Sequence, residues 1–167
     1  METALIRLRN DILTGAGLLT RLPLPAHQPS GIRSAWAWPS VGLAIGAMAV
    51  VAGAGAMWLG LSAGAAAVVM LLVQVMMTGG LHEDGLADTA DGLWGGWTRD
   101  RRLEIMRDSR IGSYGVIALV LALLARGTVG VQLLAVGPWG GMVAAAGLSR
   151  AGMAGGSERG PNGAAGR

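Results

Sequence analysis

Long uninterrupted apolar runs, separated by short polar segments, dominate the pattern of this chain. Between Arg33 and His82 lie 48 consecutive residues without a formal charge. A helix needs about 20 residues to cross a bilayer, so this run predicts two spans, at about 37–59 and 64–80. Small residues recur in both, which favours close helix packing but also fits a merely Gly/Ala-rich composition. The glycines concerned are Gly42, Gly46, Gly53 and Gly64.

Two further apolar runs follow the polar middle of the chain. They predict a second hairpin with spans at 111–126 and 128–149, separated by a turn at Arg126. Residues 152–167 are rich in Gly and Ala and lack a packing pattern, which predicts a disordered tail.

An amphipathic helix is predicted at the N-terminus, before the first span. Apolar residues recur there at spacings of three and four, which is the helical period. They are Leu5, Leu8, Ile12, Ala16 and Leu19. The Leu22-Pro23-Leu24-Pro25 segment then breaks helical geometry. We therefore expect a short helix at the membrane interface, followed by a loop.

The composition supports a membrane environment. The chain is 52% hydrophobic and 14% charged, with a mean hydropathy of +0.51, which is too apolar for an ordinary soluble domain. A buried hairpin in a soluble protein would need large amphipathic partners, which the chain lacks. The sequence predicts an all-α, polytopic membrane protein with about four transmembrane helices, forming one domain over residues 1–151.

The distribution of arginine predicts an orientation. All thirteen basic residues are arginine; four precede the first span and five lie in residues 82–110. The positive-inside tendency then places the N-terminus, the acidic segment and the tail in the cytoplasm. A cleavable signal peptide is not expected. The chain has no cysteine, which excludes thiolate catalysis and cysteine-bound metals. No interleaving of aromatic and basic residues indicates nucleic-acid binding.

The acidic segment, residues 82–110, carries the candidate chemistry, because it holds seven of the ten acidic residues. Asp84, Asp88 and Asp91 are spaced so that a helix would bring them within about 60° of one another. Three carboxylates on one face repel each other, which predicts a cation among them. Mg²⁺ held by oxygen ligands and substrate phosphates is the simplest choice. A merely solvated loop would have no reason to keep this helical phase.

A second acidic stripe is interleaved with arginines that are suited to clamping phosphate oxygens. Nearby glycines permit close approach of a ligand. Together these features predict metal-assisted phosphoryl transfer, with one aspartate accepting a proton. For the histidine beside the span, a structural hydrogen bond is the alternative to a role as ligand or base. The second acidic stripe consists of Asp100, Glu104 and Asp108, and its arginines are Arg101, Arg102, Arg107 and Arg110. The glycines are Gly85 and Gly92, and the histidine is His82.

Three motifs resemble the cobalamin synthase family. They are LHEDGLADTADG, RRLEIMRDSRIGSYG and, near the N-terminus, LLTRLPLP. The similarity covers most of residues 11–126, and the combined central motif is far longer than a chance pattern. Members of that family are multi-span enzymes of the bacterial inner membrane. They join adenosylcobinamide-GDP to α-ribazole, or to its 5'-phosphate, with release of GMP and a requirement for Mg²⁺.

The charge pattern and the resemblance together imply roles for individual residues. The expected catalytic residues are His82, Asp84, Asp88, Asp91 and Asp108. The expected metal ligands are Asp84, Asp88 and Asp91, with Glu83 and Glu104 as weaker candidates. The expected substrate-binding residues are Gly85, Gly92, Arg102, Arg107, Ser109 and Arg110. Which aspartate acts as the base, which lower-axial base is attached, and whether the chain forms a homo-oligomer all stay open.

One departure from the family keeps alternatives open. Family members are longer, and GGSERGPNGAAGR resembles no span, so the sequence predicts a truncated product that is either active or an inactive fragment.

A CDP-alcohol phosphotransferase would need Asp-Gly-x-x-Ala-Arg, whereas Asp88 follows Asp84-Gly85-Leu86-Ala87 here. A transporter would need ionisable residues within its spans, and the 48-residue run has none.

Overall fold

The computed structural model describes residues 2–137 and 139–159, and within these ranges every regular element is helical. The helices are α1 (Glu2–Leu19), a 3₁₀ helix (Gly31–Ala37), α2 (Trp38–Trp58), α3 (Ala63–Thr78), α4 (Leu81–Gly95), α5 (Arg99–Ile105), α6 (Ser113–Val136) and α7 (Trp139–Arg159). The prediction of an all-α fold is confirmed.

Two continuous helical segments are long and apolar enough to cross a membrane, namely Gly31–Trp58 and Ser113–Val136. Helix α3 has only 16 residues. Together α3 and α4 pass the same test, but the chain bends by 86° between them, so they form either a broken span or a re-entrant loop. The described residues thus provide two spans, or three with the bent pair, compared with about four predicted. Glycines and charged residues in α7 dilute its apolar content.

Two consecutive glycines produce the bend between α3 and α4. Gly79 and Gly80 have φ values of 63° and 73°, in the left-handed region that glycine adopts without penalty. The Arg21 side chain lies against Gly79 and leaves no space for a Cβ atom there. The Arg21 N–H also donates to the Met77 carbonyl at 2.8 Å. Arg21, in the segment after α1, therefore packs against the bend at which the acidic segment begins.

The predicted boundary between the third and fourth spans is wrong. Helix α6 continues through Arg126 to Val136, and the break comes at Gly137, where φ is 91°. The Arg126 guanidinium donates to Glu83 Oε1 and to Gln74 Oε1, both at 2.6 Å. A paired charge is tolerated inside an apolar helix. For this reason Arg126 does not end the run.

The predicted disordered tail is also wrong over its first residues. Helix α7 includes residues 152–159, so the loss of apolar periodicity at residue 152 did not end the helix. Three of these eight residues are glycine, so intrinsic helix propensity does not explain the continuation. Residues 160–167 lie outside the described part of the chain.

The helices α2, α3, α6 and α7 form a bundle with two distinct ends. At one end Trp38 of α2 lies in the same buried cluster that Met77 of α3 packs against. At the other end Ala56 of α2 clusters with Ala67 of α3 and Leu134 of α6. The α2–α3 turn and the end of α6 therefore lie at one end, and the acidic segment begins at the opposite one.

The predicted close packing through glycine occurs at three of the four positions. Any Cβ at Gly42 or Gly46 would run into Ala146 of α7, and a Cβ at Gly53 would contact Ala66 of α3. At Gly64 a Cβ would meet only Ser62, so that glycine does not mediate packing between helices.

The predicted N-terminal helix is present and ends before the proline-containing segment. Helix α1 ends at Leu19, and the side chain of Trp36, in the 3₁₀ helix, donates from Nε1 to Asp11 Oδ2 at 2.9 Å. This contact holds α1 beside the start of the first span. Its placement at the membrane interface stays a prediction.

Candidate functional site

A cavity of about 640 Å³ lies between α3, α6, α7 and the start of α4. We call it the interhelical cavity. Its walls are largely apolar, and its polar lining includes Gln74, His82, Glu83, Arg126 and Arg150. The volume is within the range of about 300–1,000 Å³ that is common for small-molecule sites. The cavity is therefore large enough for a ligand of moderate size.

Part of this polar lining is paired and part is not. Arg126 forms an ion pair with Glu83 at 2.6 Å, and the Glu83 side chain is 16% exposed. Within the described residues, three buried polar atoms have no hydrogen-bond partner: His82 Nε2, Glu83 Oε2 and Arg150 Nε. Buried polar atoms are seldom left unpaired in proteins. All three atoms belong to residues that line a cavity with the size for a ligand.

Of the polar residues in this cavity, only His82 and Glu83 were predicted from the sequence as site residues. Gln74, Arg126 and Arg150 were not. A signal was present, because Arg126 and Arg150 each interrupt an apolar stretch, and intramembrane charges commonly mark functional sites. We interpreted Arg126 as a turn residue instead.

A second, smaller cavity of about 240 Å³ lies where α4 ends, α5 packs and α6 begins. We call it the surface cavity. Asp91, Glu104 and Asp108 line it together with Arg101 and Arg110. The structure thus brings members of both predicted acidic stripes together with two arginines.

Asp91 joins α4 to the N-terminus of α6. Its Oδ2 accepts the Gly112 N–H at 2.7 Å, and its Oδ1 accepts the Gly115 N–H at 2.9 Å. The residue is buried, and a Cβ atom at either glycine would overlap the carboxylate. A helix N-terminus carries unpaired N–H groups and a partial positive charge, so a carboxylate is well suited to this position. Both Asp91 oxygens are occupied in this way.

Asp84 and Asp88 differ from Asp91 in their surroundings. Asp84 is exposed and Asp88 half-buried, and neither takes part in the ion pairs found among the described residues. They lie on α4 between Glu83, in the interhelical cavity, and Asp91, in the surface cavity. Glu83 and Asp91 are about 12 Å apart along the helix axis. The predicted stripe is helical, but its members face different environments.

The predicted phosphate-binding arginines differ in how they are engaged. Arg102 donates from Nε to the Gly96 carbonyl at 2.8 Å and so holds the turn before α5. Arg110 forms an exposed ion pair with Asp108 at 2.9 Å. Hydrogen bonds from Arg110 lower the pKa of Asp108 below its ordinary value. Arg107 lines a shallow groove with Asp108.

The remaining predicted residues divide between packing and exposure. Gly92 lies beneath Met106, where a Cβ atom would be 2.6 Å from Cε, so this glycine lets α5 approach α4. Gly85 faces open space and Ser109 is exposed. Glu104 forms an exposed ion pair with Arg101 at 2.7 Å.

The expected magnesium site is only partly compatible with this arrangement. Across residues 2–137 and 139–159, no group of three or more His, Cys, Asp or Glu side chains is close enough to hold a metal ion. Asp91 is already occupied by backbone amides. The unpaired Asp84 and Asp88, one helical turn apart, fit the usual mode in which two carboxylates share Mg²⁺ with substrate phosphates.

Comparison with known proteins gives a consistent result. The sequence profile described as cobalamin-5-phosphate synthase matches residues 11–166. An adenosylcobinamide-GDP ribazoletransferase of Azorhizobium caulinodans is 47% identical over 155 residues, which cover 87% of this chain and 59% of the relative. A protein of the same name from Xanthobacter autotrophicus is 44% identical over 155 residues, covering 88% of this chain and 55% of the relative.

The match ends well short of the relatives' full length. A third relative with that name, from Bradyrhizobium diazoefficiens, is 47% identical over 116 residues, which cover 67% of this chain and 45% of the relative. The chain thus spans about half the length of the curated relatives it matches. No solved structure matches it. The segment that carries the sequence motifs forms α4, α5 and the start of α6. The chain belongs to the cobalamin-5-phosphate synthase family.

Proposed function

We propose that this chain is a membrane transferase that joins adenosylcobinamide-GDP to α-ribazole, or to its 5'-phosphate, with release of GMP. The names of the matching relatives support this reaction. The single observation that carries the proposal is the pair of unpaired carboxylates, Asp84 and Asp88, on a helix that connects two cavities. No feature of the described geometry favours a CDP-alcohol substrate.

The reaction is a displacement at phosphorus. A ribose hydroxyl of α-ribazole attacks the phosphorus that bears the cobinamide group, a new P–O bond forms, and the P–O bond to GMP breaks. The hydroxyl proton passes to a carboxylate of the acidic segment, and the negative charge leaves on GMP. Asp108, in the surface cavity, and His82, in the interhelical cavity, are the other acid–base candidates.

We assign the magnesium-binding role to Asp84 and Asp88, with diphosphate oxygens as further ligands. When bound, the ion neutralises the charge of the diphosphate and of the leaving group. Arg101 and Arg110 line the surface cavity, and we assign them contacts with phosphate oxygens. Glu83 and Glu104 lie in arginine ion pairs and are weaker candidates for metal ligands.

The test uses the purified chain in lipid nanodiscs with adenosylcobinamide-GDP, α-ribazole and Mg²⁺, and measures GMP release. Asp84→Asn and Asp88→Asn should each lower turnover about 100-fold or more, while Asp11→Asn, on α1 and outside both cavities, serves as the matched control. Mg²⁺-dependent binding of GDP provides a second measurement that does not need turnover. Full turnover in both Asn variants, or release of CMP from CDP-diacylglycerol instead, would refute the proposal.

We also propose that the acidic segment faces the cytoplasm of a bacterium, from its inner membrane. Arginines cluster at the end of the bundle where α4 begins, and neither residues 59–62 nor Gly137 adds a charge at the other end. The chain has no cysteine, so one introduced thiol is unique. In intact spheroplasts an impermeant maleimide should label Ser62→Cys and not Trp97→Cys. The reverse pattern would contradict this orientation.

A further inference from the structure

We infer that the interhelical cavity is the binding site for the acceptor nucleoside, a ligand with an aromatic base and free ribose hydroxyls. This inference rests on the proposed function and specifies where the second substrate binds. It depends on the unpaired polar atoms of the cavity, on its charge, and on its position along α4.

The unpaired atoms define the hydrogen-bonding chemistry of the ligand. Glu83 Oε2 is an acceptor and Arg150 Nε is a donor, and both are buried without a partner in the described part of the chain. His82 Nε2 is likewise unpaired and donates or accepts according to its tautomer. A ribose hydroxyl both donates and accepts, so it can pair with an acceptor such as Glu83 Oε2 or with a donor such as Arg150 Nε. A phosphodiester has only acceptors and would leave Glu83 Oε2 facing another oxygen.

The charge of the cavity excludes the diphosphate substrate. Arg126 is already paired with Glu83 at 2.6 Å, so Arg150 contributes the one uncompensated positive charge among the described arginines and carboxylates of the lining. Burying a diphosphate there would leave negative charge without a partner, which is costly. A neutral nucleoside brings no negative charge that would need a partner there.

The remaining walls suit an aromatic base. Met70, Leu71, Leu133 and Met142 line the cavity, and methionine sulfur packs favourably against aromatic rings. The volume of about 640 Å³ accommodates a nucleoside-sized molecule.

The position of the cavity connects it to the reaction. Glu83 directly precedes Asp84, and Asp88 follows one helical turn later. Along the helix axis, Glu83 is therefore about 1.5 Å from Asp84 and about 7.5 Å from Asp88, the carboxylates to which we assign the diphosphate. The acceptor would reach the phosphorus from the interior of the bundle.

The experiment measures binding of radiolabelled α-ribazole by equilibrium dialysis to the full chain in phosphatidylcholine nanodiscs. Arg150→Met removes the unpaired donor but keeps the length of the side chain, and Leu133→Trp fills the cavity. Each should weaken α-ribazole binding about 10- to 100-fold, while Arg99→Met, an exposed control outside both cavities, should change it less than about twofold. Far-UV circular dichroism confirms that the variants remain folded.

Two further measurements show which chemical groups of the ligand account for its affinity. The free aromatic base of α-ribazole, which lacks ribose, should bind at least about tenfold more weakly than the nucleoside. Adding phosphatidylglycerol to the nanodiscs should not displace bound α-ribazole. Displacement by phosphatidylglycerol, absence of α-ribazole binding, or equal affinity in wild type and both cavity variants would overturn the inference.

Binding of Mg²⁺ and GDP in the same samples keeps this result separate from the proposed function. Unchanged GDP binding in Arg150→Met, together with weakened α-ribazole binding, supports the inference. If GMP release requires Asp84 but the cavity variants do not change the affinity for α-ribazole, the transferase proposal stands and the cavity assignment fails.

Discussion

Replacing Asp91 by alanine tests whether this residue is primarily a structural contact or a metal ligand. The Asp91 carboxylate accepts two backbone N–H groups, from Gly112 at 2.7 Å and from Gly115 at 2.9 Å. It therefore joins α4 to the N-terminus of α6. Alanine removes both acceptors and leaves the buried Gly115 N–H and the partly buried Gly112 N–H without these partners. Asparagine keeps one acceptor oxygen and should show an intermediate effect.

The magnitude follows from these two contacts. A hydrogen bond to a charged group contributes about 1.5 kcal/mol or more, so losing two should lower the free energy of unfolding by about 3 kcal/mol. That is a large share of the roughly 5–15 kcal/mol typical of a folded domain. Asp88→Ala is the matched control, because Asp88 lies on the same helix without an ion pair. Its effect should stay within about 0.5 kcal/mol.

The assay is unfolding of the purified chain in mixed micelles of rising SDS content, followed by far-UV circular dichroism. It is run in EDTA, so that a divalent cation contributes nothing to stability. If Asp91→Ala and Asp88→Ala unfold at the same SDS content as the wild type, the capping argument is refuted. A loss in Asp91→Ala that appears only when Mg²⁺ is present would instead support the ligand role predicted from sequence.

Two further predictions concern the same region. Gly115→Ala should destabilise the chain about as much as Asp91→Ala, since its Cβ would overlap the Asp91 carboxylate, whereas Gly85→Ala faces open space and should be neutral or stabilising in the same SDS assay. Arg110→Gln should raise the pKa of Asp108 towards its ordinary value, as measured by carboxyl ¹³C NMR. The folded-state pKa of Asp108 is depressed, so its ion pair with Arg110 stabilises the fold at pH values above the ordinary pKa of Asp108. This stabilisation is lost as the pH falls through the depressed pKa. The Arg110→Gln variant lacks the ion pair and should not show this pH-dependent loss.

Local spacing predicted the helices more reliably than it predicted what their side chains contact. The steps from Asp84 to Asp88 and Asp91 follow the helical period, and the structure places all three on α4. The same spacing carries no information about Gly112 and Gly115, which reach Asp91 only because α6 packs against α4. For this reason the sequence grouped three carboxylates into one metal site, whereas the structure joins one of them to a helix terminus.

The error at Arg126 has a related cause and leads further. A charge within an apolar run has two physical explanations, since it either ends the run at the membrane surface or has a partner that offsets its burial. Arg126 has Glu83 and Gln74 as partners, from helices distant in sequence. Arg150, which interrupts the next apolar stretch, lines the same cavity with an unpaired Nε. Both interruptions of apolar sequence therefore line one cavity, and the unpaired Arg150 Nε is an atom to which we assign a ligand contact.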